Sequence, residues 1–360
     1  MMVLKNSIRK QTNLLSKKLN MSPKNLNAIK THKKLLSKLS NNRIKGSFKL
    51  FEKNFEIKER VAVAVSGGPD SLALAYLTKV FSIKYNLNFK YFIVDHKLRK
   101  ESTEEAQRVK QILSGFDIKA ELLTWKGKKP VRNIQSLARK KRYDLLLSKC
   151  KSLNISYLIL GHHVDDLFEN FFIRMIRGSG LKGLTSFEKK TTFEGISIIR
   201  PLLNFEKKHL EFISNYVFNF FVKDPSNDNT KFKRIEIRKI ISDLNSGLEK
   251  DKLFLTLKNL KSSNNALSFY IKQNKKLNSY FDDKNRVLIL NEVFFKQPYE
   301  VVFRSFSDSL KFIGGRYFSP RGKKIDNILQ MIEKNTLKKE TLAECIVKKV
   351  NQTVIITKEY

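Results

Sequence analysis

The stretch Ser66-Gly67-Gly68-Pro69-Asp70-Ser71 follows five small or β-branched residues, 61–65, and runs into an apolar, helix-prone segment from Leu72. A glycine-rich turn that leaves a strand and enters a helix aims backbone N–H groups at an anion, at the positive end of the helix dipole. Loops built for γ-phosphoryl transfer carry a lysine that reaches the β- and γ-phosphates. Here no lysine follows, and Asp70 stands in the loop instead. Ser66, Gly67, Gly68, Pro69, Asp70 and Ser71 are therefore expected to wrap the pyrophosphate of ATP, with Asp70 approaching a magnesium ion. Gripping the leaving pyrophosphate favours attack at the α-phosphorus, which is adenylation. A bare Gly-Gly would serve as an ordinary turn, but Ser-Gly-Gly-x-Asp-Ser directly after a buried strand carries more information than that.

A second cluster of chemistry lies in GHHVDDLFENFFIRMIRGSGLKGL, 161–184. Leu167, Phe168, Phe171, Phe172, Met175 and Ile176 recur at helical spacing and are expected to form a buried face. Asp166, Glu169 and Asn170 then fall on the other side, one turn from the helix start. Two carboxylates there could bind an ammonium group, bind magnesium, or take a proton from an amine. A solvated acidic first turn explains Asp165 equally well. It does not explain Asp166 with Glu169 behind the paired His162 and His163. Those two histidines and His96 invite a metal reading, but adjacent histidines point apart and no third ligand has metal spacing. A role behind the contacting residues, or at a nucleotide edge, is preferred over zinc, and His162 is placed on the substrate side.

The elements that must position these groups alternate between Arg60 and about Ile241. VAVAV (61–65), YFIVDH (91–96), KAELLTW (119–125) and SYLILGHH (156–163) read as strands, each followed by a helical stretch. The second of these helices, STEEAQRVKQIL, opens with Ser102 and Glu105 at capping-box spacing. Four such units predict an α/β fold with a doubly wound parallel sheet, in which ligands sit beyond the C-terminal ends of the strands. Every chemical motif falls at such an end. Past Ile241 the rhythm stops, and a helix with breaks (245–280), a strand (285–292), a mainly helical stretch (296–333) and a last strand (352–358) suggest a smaller α+β tail. Three regions are expected: a basic, partly flexible extension over 1–57, a catalytic domain over 58–244, and a helical and α+β RNA-binding region over 245–360.

The chain of 360 residues carries 71 Lys+Arg against 34 Asp+Glu, a formal net charge of +37. An AT-rich genome accounts for part of that excess, but not for the shortage of acids. A surface so positive attracts phosphate polyanions, so nucleic acid ranks ahead of an acidic membrane as partner. Arg316, Tyr317, Phe318, Arg321, Lys323 and Lys324 stand together in the tail, with Tyr317 the candidate for base stacking. Cys150 and Cys345 form no C-x-x-C, which disfavours a disulfide framework, a zinc knuckle or an iron–sulfur cluster and suits a reducing, cytoplasmic setting. No apolar run is long enough to span a bilayer, and no secretory core opens the chain. No Asp or Glu precedes Glu52; the opening reads as a flexible basic arm, with Met21 an alternative start.

The glycine loop resembles the signature of the N-type ATP pyrophosphatases, the PP-loop superfamily, which share adenylation and differ in what is adenylated. Within it, GHHVDDLFENFFIRMIRGSGLKGL is similar to a defining segment of the tRNA(Ile)-lysidine synthetases. VDHKLRKES (94–102), SLARKKRYDLL (136–146), RPLLNFEKKHL (200–210) and DPSNDNTKFKRIEIR (224–238) match further segments of that family in the same order. The resemblance covers about residues 58–241 well and the tail loosely. It implies that ATP, with Mg2+, adenylates the C2 oxygen of the wobble cytidine in the CAU anticodon of tRNA(Ile). The ε-amine of free L-lysine then displaces AMP to give lysidine, which pairs with A. Carried over by position, Asp70 supports adenylation with magnesium, and Arg139 stabilises the developing charge. Asp166 and Glu169 hold the lysine, Arg234 and Arg238 meet the tRNA or the reacting nucleotide, and Arg177, Gly178 and Gly180 shape the cytidine pocket. Gln135, Ile235 and TLAEC (341–345) depart from the family pattern, which weakens the tail assignment. A tRNA 2-thiocytidine-type thiolase would need cysteines near the loop, a non-catalytic tRNA-binding homologue would not need Asp70, Arg139, Asp166 and Glu169 together, and an amidotransferase would need a nucleophilic cysteine. Oligomeric state stays open, a homodimer among the options.

Overall fold

The structure, a computed structural model, describes residues 23–57, 59–98, 101–127, 134–222, 233–244, 248–316 and 319–359. Two compact units result, Met1–Asn245 and Ser246–Tyr360. Tyr317 and Phe318, the DPSNDN run and the opening arm 1–22 lie outside the described residues.

The first unit opens with helices α1 (Pro23–Ser37) and α2 (Asn42–Asn54), joined by a short 3-10 turn. Strand β1 (Val61–Ala64), helix α3 (Pro69–Tyr85), β2 (Lys90–Asp95), α4 (Ser102–Ser114), β3 (Ala120–Thr124), α5 (Ile134–Ser152) and β4 (Tyr157–Ile159) follow as alternating units. Then come α6 (Val164–Ile176), the single turn α7 (Leu181–Leu184), β5 (Lys190–Phe193), β6 (Ile196–Ile199), α8 (Lys207–Phe218) and α9 (Lys233–Asp243). The sheet order is β3-β2-β1-β4-β6-β5. All neighbours are parallel except the β5–β6 hairpin, which adds an antiparallel edge. Period two is visible in the packing: Val61, Val63 and Val65 enter one core cluster while Ala62 enters the cluster under the opposite face. Helix α3 is apolar nearly all round, with Leu72 to Leu77 fully buried, because it lies between the sheet and α8. Pro69 supplies its first position and Asn86, left-handed at φ 54°, ends it.

Three expectations need correction. The extension 1–57 is not a loose arm over its described part. Leu35, Ile44, Phe48, Phe51 and Phe55 join the main core, and Phe51 and Phe55 meet Phe81 at ring-centroid distances of 6.0 and 5.0 Å. Their apolar spacing is sparse among lysines, which made the stretch read as basic before it read as amphipathic. The Ser102/Glu105 capping box is absent, since α4 is capped at Glu101 and Ser102 Oγ donates to Asp95 Oδ1 at 3.1 Å. A buried carboxylate is the stronger acceptor. Finally, the breaks expected within 245–280 are absent over 248–278. Helix α10 runs unbroken over Leu248–Asn278, because its asparagines turn inward: Asn264 accepts from Arg304 at 2.9 Å, and Asn274 donates to the Phe294 carbonyl at 3.2 Å.

The second unit completes itself with β7 (Ser279–Asp282), β8 (Val287–Leu290), the single turn α11 (Glu292–Phe295), α12 (Tyr299–Gly314), α13 (Gly322–Glu333), β9 (Lys339–Leu342), β10 (Cys345–Val350) and β11 (Thr353–Lys358). Its sheet, β7-β8-β11-β10-β9, is wholly antiparallel. The TLAEC departure is the β9–β10 hairpin tip, where Ala343 and Glu344 both sit at φ 60°. Such a two-residue turn favours glycine or asparagine, and here Arg316 braces it with two bonds to Glu344 Oε1, 3.1 and 2.9 Å. Arg316 stays exposed while it makes this ion pair. Among the described residues no helix is long and apolar enough to cross a membrane.

Phe51→Ala should cost about 3–5 kcal/mol of stability, as expected for a fully buried ring, and denaturant unfolding of the full chain measures it. A change below about 1 kcal/mol would mean that the α2 helix is an appendage after all.

Candidate active site

Strand order places the site. β1 and β4 are neighbours whose following segments leave on the two sides of the point where chain order reverses, the crevice where α/β sheets bind ligands. After β1, the loop 65–68 turns at Gly67, φ 89°, where a Cβ would stand 2.6 Å from Val109 Cγ2. The Val222 amide closes the loop from outside with a 2.9 Å bond to the Gly67 carbonyl. Ser71 knots it from inside. Its hydroxyl donates to the Gly68 carbonyl at 2.9 Å and accepts from the amides of Ser66 and Gly67, each at 3.1 Å. The first α3 ladder bond runs from Leu72 N to Gly68 O, so the earlier amides of Asp70 and Ser71 remain at the helix mouth as anion donors.

After β4 the chain passes directly over this loop. A Cβ on Gly161 would lie 3.1 Å from the Asp70 carbonyl oxygen and 3.2 Å from Ser71 Cα. Two residues on, His163 caps α6. Its Nδ1 accepts from the Asp165 amide at 3.2 Å, while Asp166 Oδ2 accepts from the His163 amide at 2.9 Å. With Nδ1 as acceptor, the ring proton belongs on Nε2, 3.6 Å from Asp70 Oδ2 and 3.7 Å from Asp166 Oδ2. The imidazole thus stands between the carboxylate of the glycine loop and that of the signature helix. Burial pushes the Asp70 carboxyl from 3.8 up to about 6, with His163 opposing and Asp166 adding to the rise. Burial also pushes Asp166 up, but His163, His162, the His163 amide and Arg238 outweigh it and hold the group below its ordinary value.

One turn along α6, Glu169 is 8% exposed and takes a 2.7 Å bond from Arg238 Nε on α9. The expected apolar face of α6 is therefore only partly buried. Glu169 lies inward, while Met175 and Ile176, expected in the core, are 48% and 56% exposed. The packing of α9 against the start of α6 buries the first turns and leaves the last one free.

Arginines gather beside the acidic pair. Arg139 on α5 donates to Tyr143 Oη at 3.4 Å. Arg200, 6% exposed just past β6, donates to the Glu188 carbonyl at 2.8 Å and lies 4.9 Å over the Phe187 ring. Burial, then Arg139, lowers the Arg142 pKa. Burial pushes His162 down to about 3, with Arg200, Arg139 and Arg142 adding to the fall against Asp166, so the ring is neutral. Burial and Arg142 likewise lower His96. The Nδ1 atoms of His96 and His162, Arg200 Nε and Asp70 Oδ1 are buried without partners among the described residues. Atoms so placed ask for a ligand.

Of the expected residues, the structure brings Asp70, Asp166, Glu169 and Arg238 together and sets His162 and Arg139 alongside. Ser66, Gly67, Gly68, Pro69 and Ser71 build the loop. Arg177 caps the far end of α6, about 16 Å of helix from Asp166, and is exposed. Arg234 lies on α9, with its side chain outside the described residues. Sequence reasoning missed His163 as the bridge, Arg142 and Arg200 as cations, and the buried Asp95. That last carboxylate accepts from Lys97 N (2.9 Å), Ser102 Oγ and Thr103 Oγ1 (2.7 Å) and thereby sets the loop after β2. Arg142 and Arg200 were quoted inside family segments; the His-His pair and the arginine spacing of α5 were the available signals.

A phosphate-cradling loop at the switch point of such a sheet defines a PP-loop, ATP-utilising enzyme, and residues 39–244 match the family model described as a PP-loop domain. The tRNA(Ile)-lysidine synthase of Wolbachia sp. subsp. Brugia malayi (strain TRS) is 32% identical over 306 residues, covering 83% of this chain and 70% of that protein. That of Orientia tsutsugamushi (strain Boryong) is 33% identical over 320 residues, covering 85% and 71%. The chain belongs to the tRNA(Ile)-lysidine synthase family. Among solved structures, the U34-tRNA thiolase NcsA from Methanococcus maripaludis superposes with a TM-score of 0.53 at 19% identity, covering 61% of this chain and 78% of that one, a likeness of fold.

Because the Asp70 pKa is raised on folding, ionising it destabilises the native state as pH climbs from about 4 to about 6, and fully above that. Asp70→Asn should therefore raise Tm at about pH 8 and leave it unchanged near pH 4, read by thermal scans at both. A lower Tm at the higher pH would show that the Asp70 charge is stabilised where it stands.

Proposed function

We infer that this chain catalyses the ATP-dependent joining of L-lysine to C2 of the wobble cytidine in the CAU anticodon of tRNA(Ile), through an adenylated cytidine, releasing pyrophosphate and AMP. Family membership supports the reaction. The observation that carries the site assignment is the His163 bridge, 3.6 Å from Asp70 and 3.7 Å from Asp166, which gives the nucleotide loop and the amine-binding acid one pocket.

In the first step the cytidine C2 oxygen attacks the α-phosphorus and the bond to the β-phosphate oxygen breaks. The helix-mouth amides of Asp70 and Ser71 hold the departing pyrophosphate. The exposed Arg139, together with the half-buried Arg142 and the buried Arg200, meets the charge growing on phosphate and base oxygen. Magnesium fits Asp70, whose buried Oδ1 lacks a partner. Among the described residues no cluster of three or more His, Cys, Asp or Glu could hold a metal, so phosphate oxygens and water would complete its shell. When bound it screens the triphosphate charge. In the second step the lysine ε-nitrogen attacks C2 and the bond from C2 to the AMP oxygen breaks. Asp166 and Glu169 hold the incoming ammonium, and Asp166, with His163 behind it, receives the proton. Arg238 occupies Glu169 in this structure, so lysine entry requires that the guanidinium yield or share the carboxylate. The thiolase reading lacks its sulfur carrier, since Cys150 and Cys345 are both buried in core clusters that include no loop residue.

Radiolabelled lysine should enter a CAU-anticodon tRNA(Ile) transcript only when ATP is present. Folded, ATP-competent protein that transfers sulfur and no lysine would overturn the reading. Asp166→Asn should reduce lysine incorporation by about 10²-fold or more while tRNA-dependent ATP–pyrophosphate exchange falls less than about tenfold. An equal loss in both assays would remove Asp166 from the amine side.

A further inference from the structure

The second unit carries a groove of about 390 Å³ on its own surface, between α10, the start of the sheet and α12. Lys272, Lys275 and Lys276 line one side, at positions i, i+3 and i+4 of α10. Like charges so placed repel one another, and among the described residues none of the three meets a carboxylate. Opposite them, Phe312 is 59% exposed and meets Phe281 edge-on, with ring centroids 5.1 Å apart. At the floor Ser309, 1% exposed, has a hydroxyl with no hydrogen-bond partner. A buried hydroxyl left unpaired in a lined groove is costly unless something enters to satisfy it.

We propose that this groove binds one unpaired nucleotide of the RNA substrate, with its base on Phe312, its phosphates along the three lysines, and a base-edge or ribose polar atom on Ser309 Oγ. The volume lies at the small end of ligand sites, fit for a single nucleotide. A duplex would satisfy the lysines but leave Phe312 and Ser309 idle, because paired bases offer neither face nor free edge. Stacking on one aromatic beside cations is how single strands are held with little sequence preference. An acidic peptide would meet the lysines but give the exposed ring no flat partner. The choice of RNA rests on the lysidine-forming reading above; the groove itself does not.

The full chain is photocrosslinked to a single-stranded oligoribonucleotide carrying 4-thiouridine, and the crosslinked peptides are mapped by mass spectrometry. Crosslinks are expected within 272–312, resisting a duplex competitor and falling about fivefold or more in Phe312→Ala. Replacing all three lysines by Gln should weaken binding and lower the salt slope by about two to three. Phe312→Ala should also raise KM for tRNA without lowering kcat, its fold checked by an unchanged Tm. Crosslinks only elsewhere, or a yield indifferent to Phe312, would overturn the groove. Wild-type protein that makes lysidine while Phe312 is irrelevant removes the groove alone. Crosslinking that depends on Phe312 in a protein that makes no lysidine removes the functional reading alone.

Discussion

Gly161 lies so close to the main chain at Asp70 that a β-carbon there would press on it at 3.1–3.2 Å, tighter than most real contacts. That contact couples two strands that are neighbours in the sheet but about a hundred residues apart in the chain. With it, the cap of α6 is delivered to the mouth of α3, and His163 reaches both carboxylates. Without it, the glycine loop would still bind an anion, and the acidic turn would still open a helix. They would be two ordinary features rather than one site. Backbone proximity is a durable way to fix such geometry, because it does not depend on the rotamer of any long side chain.

Charge is then sorted across the crevice. Asp70, Asp166 and Glu169 stand on one side, with Arg139, Arg142 and Arg200 on the other. Each group on its own is expensive to bury, and each set repels itself. The raised Asp70 pKa and the lowered His162, Arg142 and Arg200 values are symptoms of that arrangement. A reaction that brings in a polyphosphate, an ammonium group and a growing negative charge relieves both sides at once. Unpartnered polar atoms at Asp70, His96, His162 and Arg200 mark where the protein's own groups leave that relief incomplete. Perturbed groups gathered in a cleft are also what a site looks like when ligand binding, rather than folding, satisfies it.

Legibility in the sequence followed the range of the interaction. The strand–loop–helix units, the glycine turn and the acidic helix start depend on neighbours within a few residues, and all could be read. What could not be read depended on distant partners. Glu169 stands off the apolar face by periodicity, and nothing nearby in the chain reveals Arg238, 69 positions later, as its partner. Ser102 looks like a cap until Asp95 claims its hydroxyl. Phe51 and Phe55 are two aromatics among lysines until Phe81 supplies the ring cluster that buries them. Ala343 and Glu344 violate turn chemistry and survive because Arg316 holds the tip. Arg142 and Arg200 belong to the same class, since their significance is that both act on His162 and both feel Arg139.

The Arg238–Glu169 pair follows from the same physics. A carboxylate buried to the extent of Glu169 cannot wait empty for an ammonium ligand, because an isolated buried charge costs several kcal/mol. It borrows a cation from the protein: the 2.7 Å bond from Arg238 compensates it, and that cation stands on α9, a helix that packs against α6. Arginine suits the role better than lysine would, since its weakly hydrated fork releases less readily to water than to a competing charge pair. Any cation that meets Glu169 would therefore exchange one ion pair for another rather than meet a bare buried carboxylate.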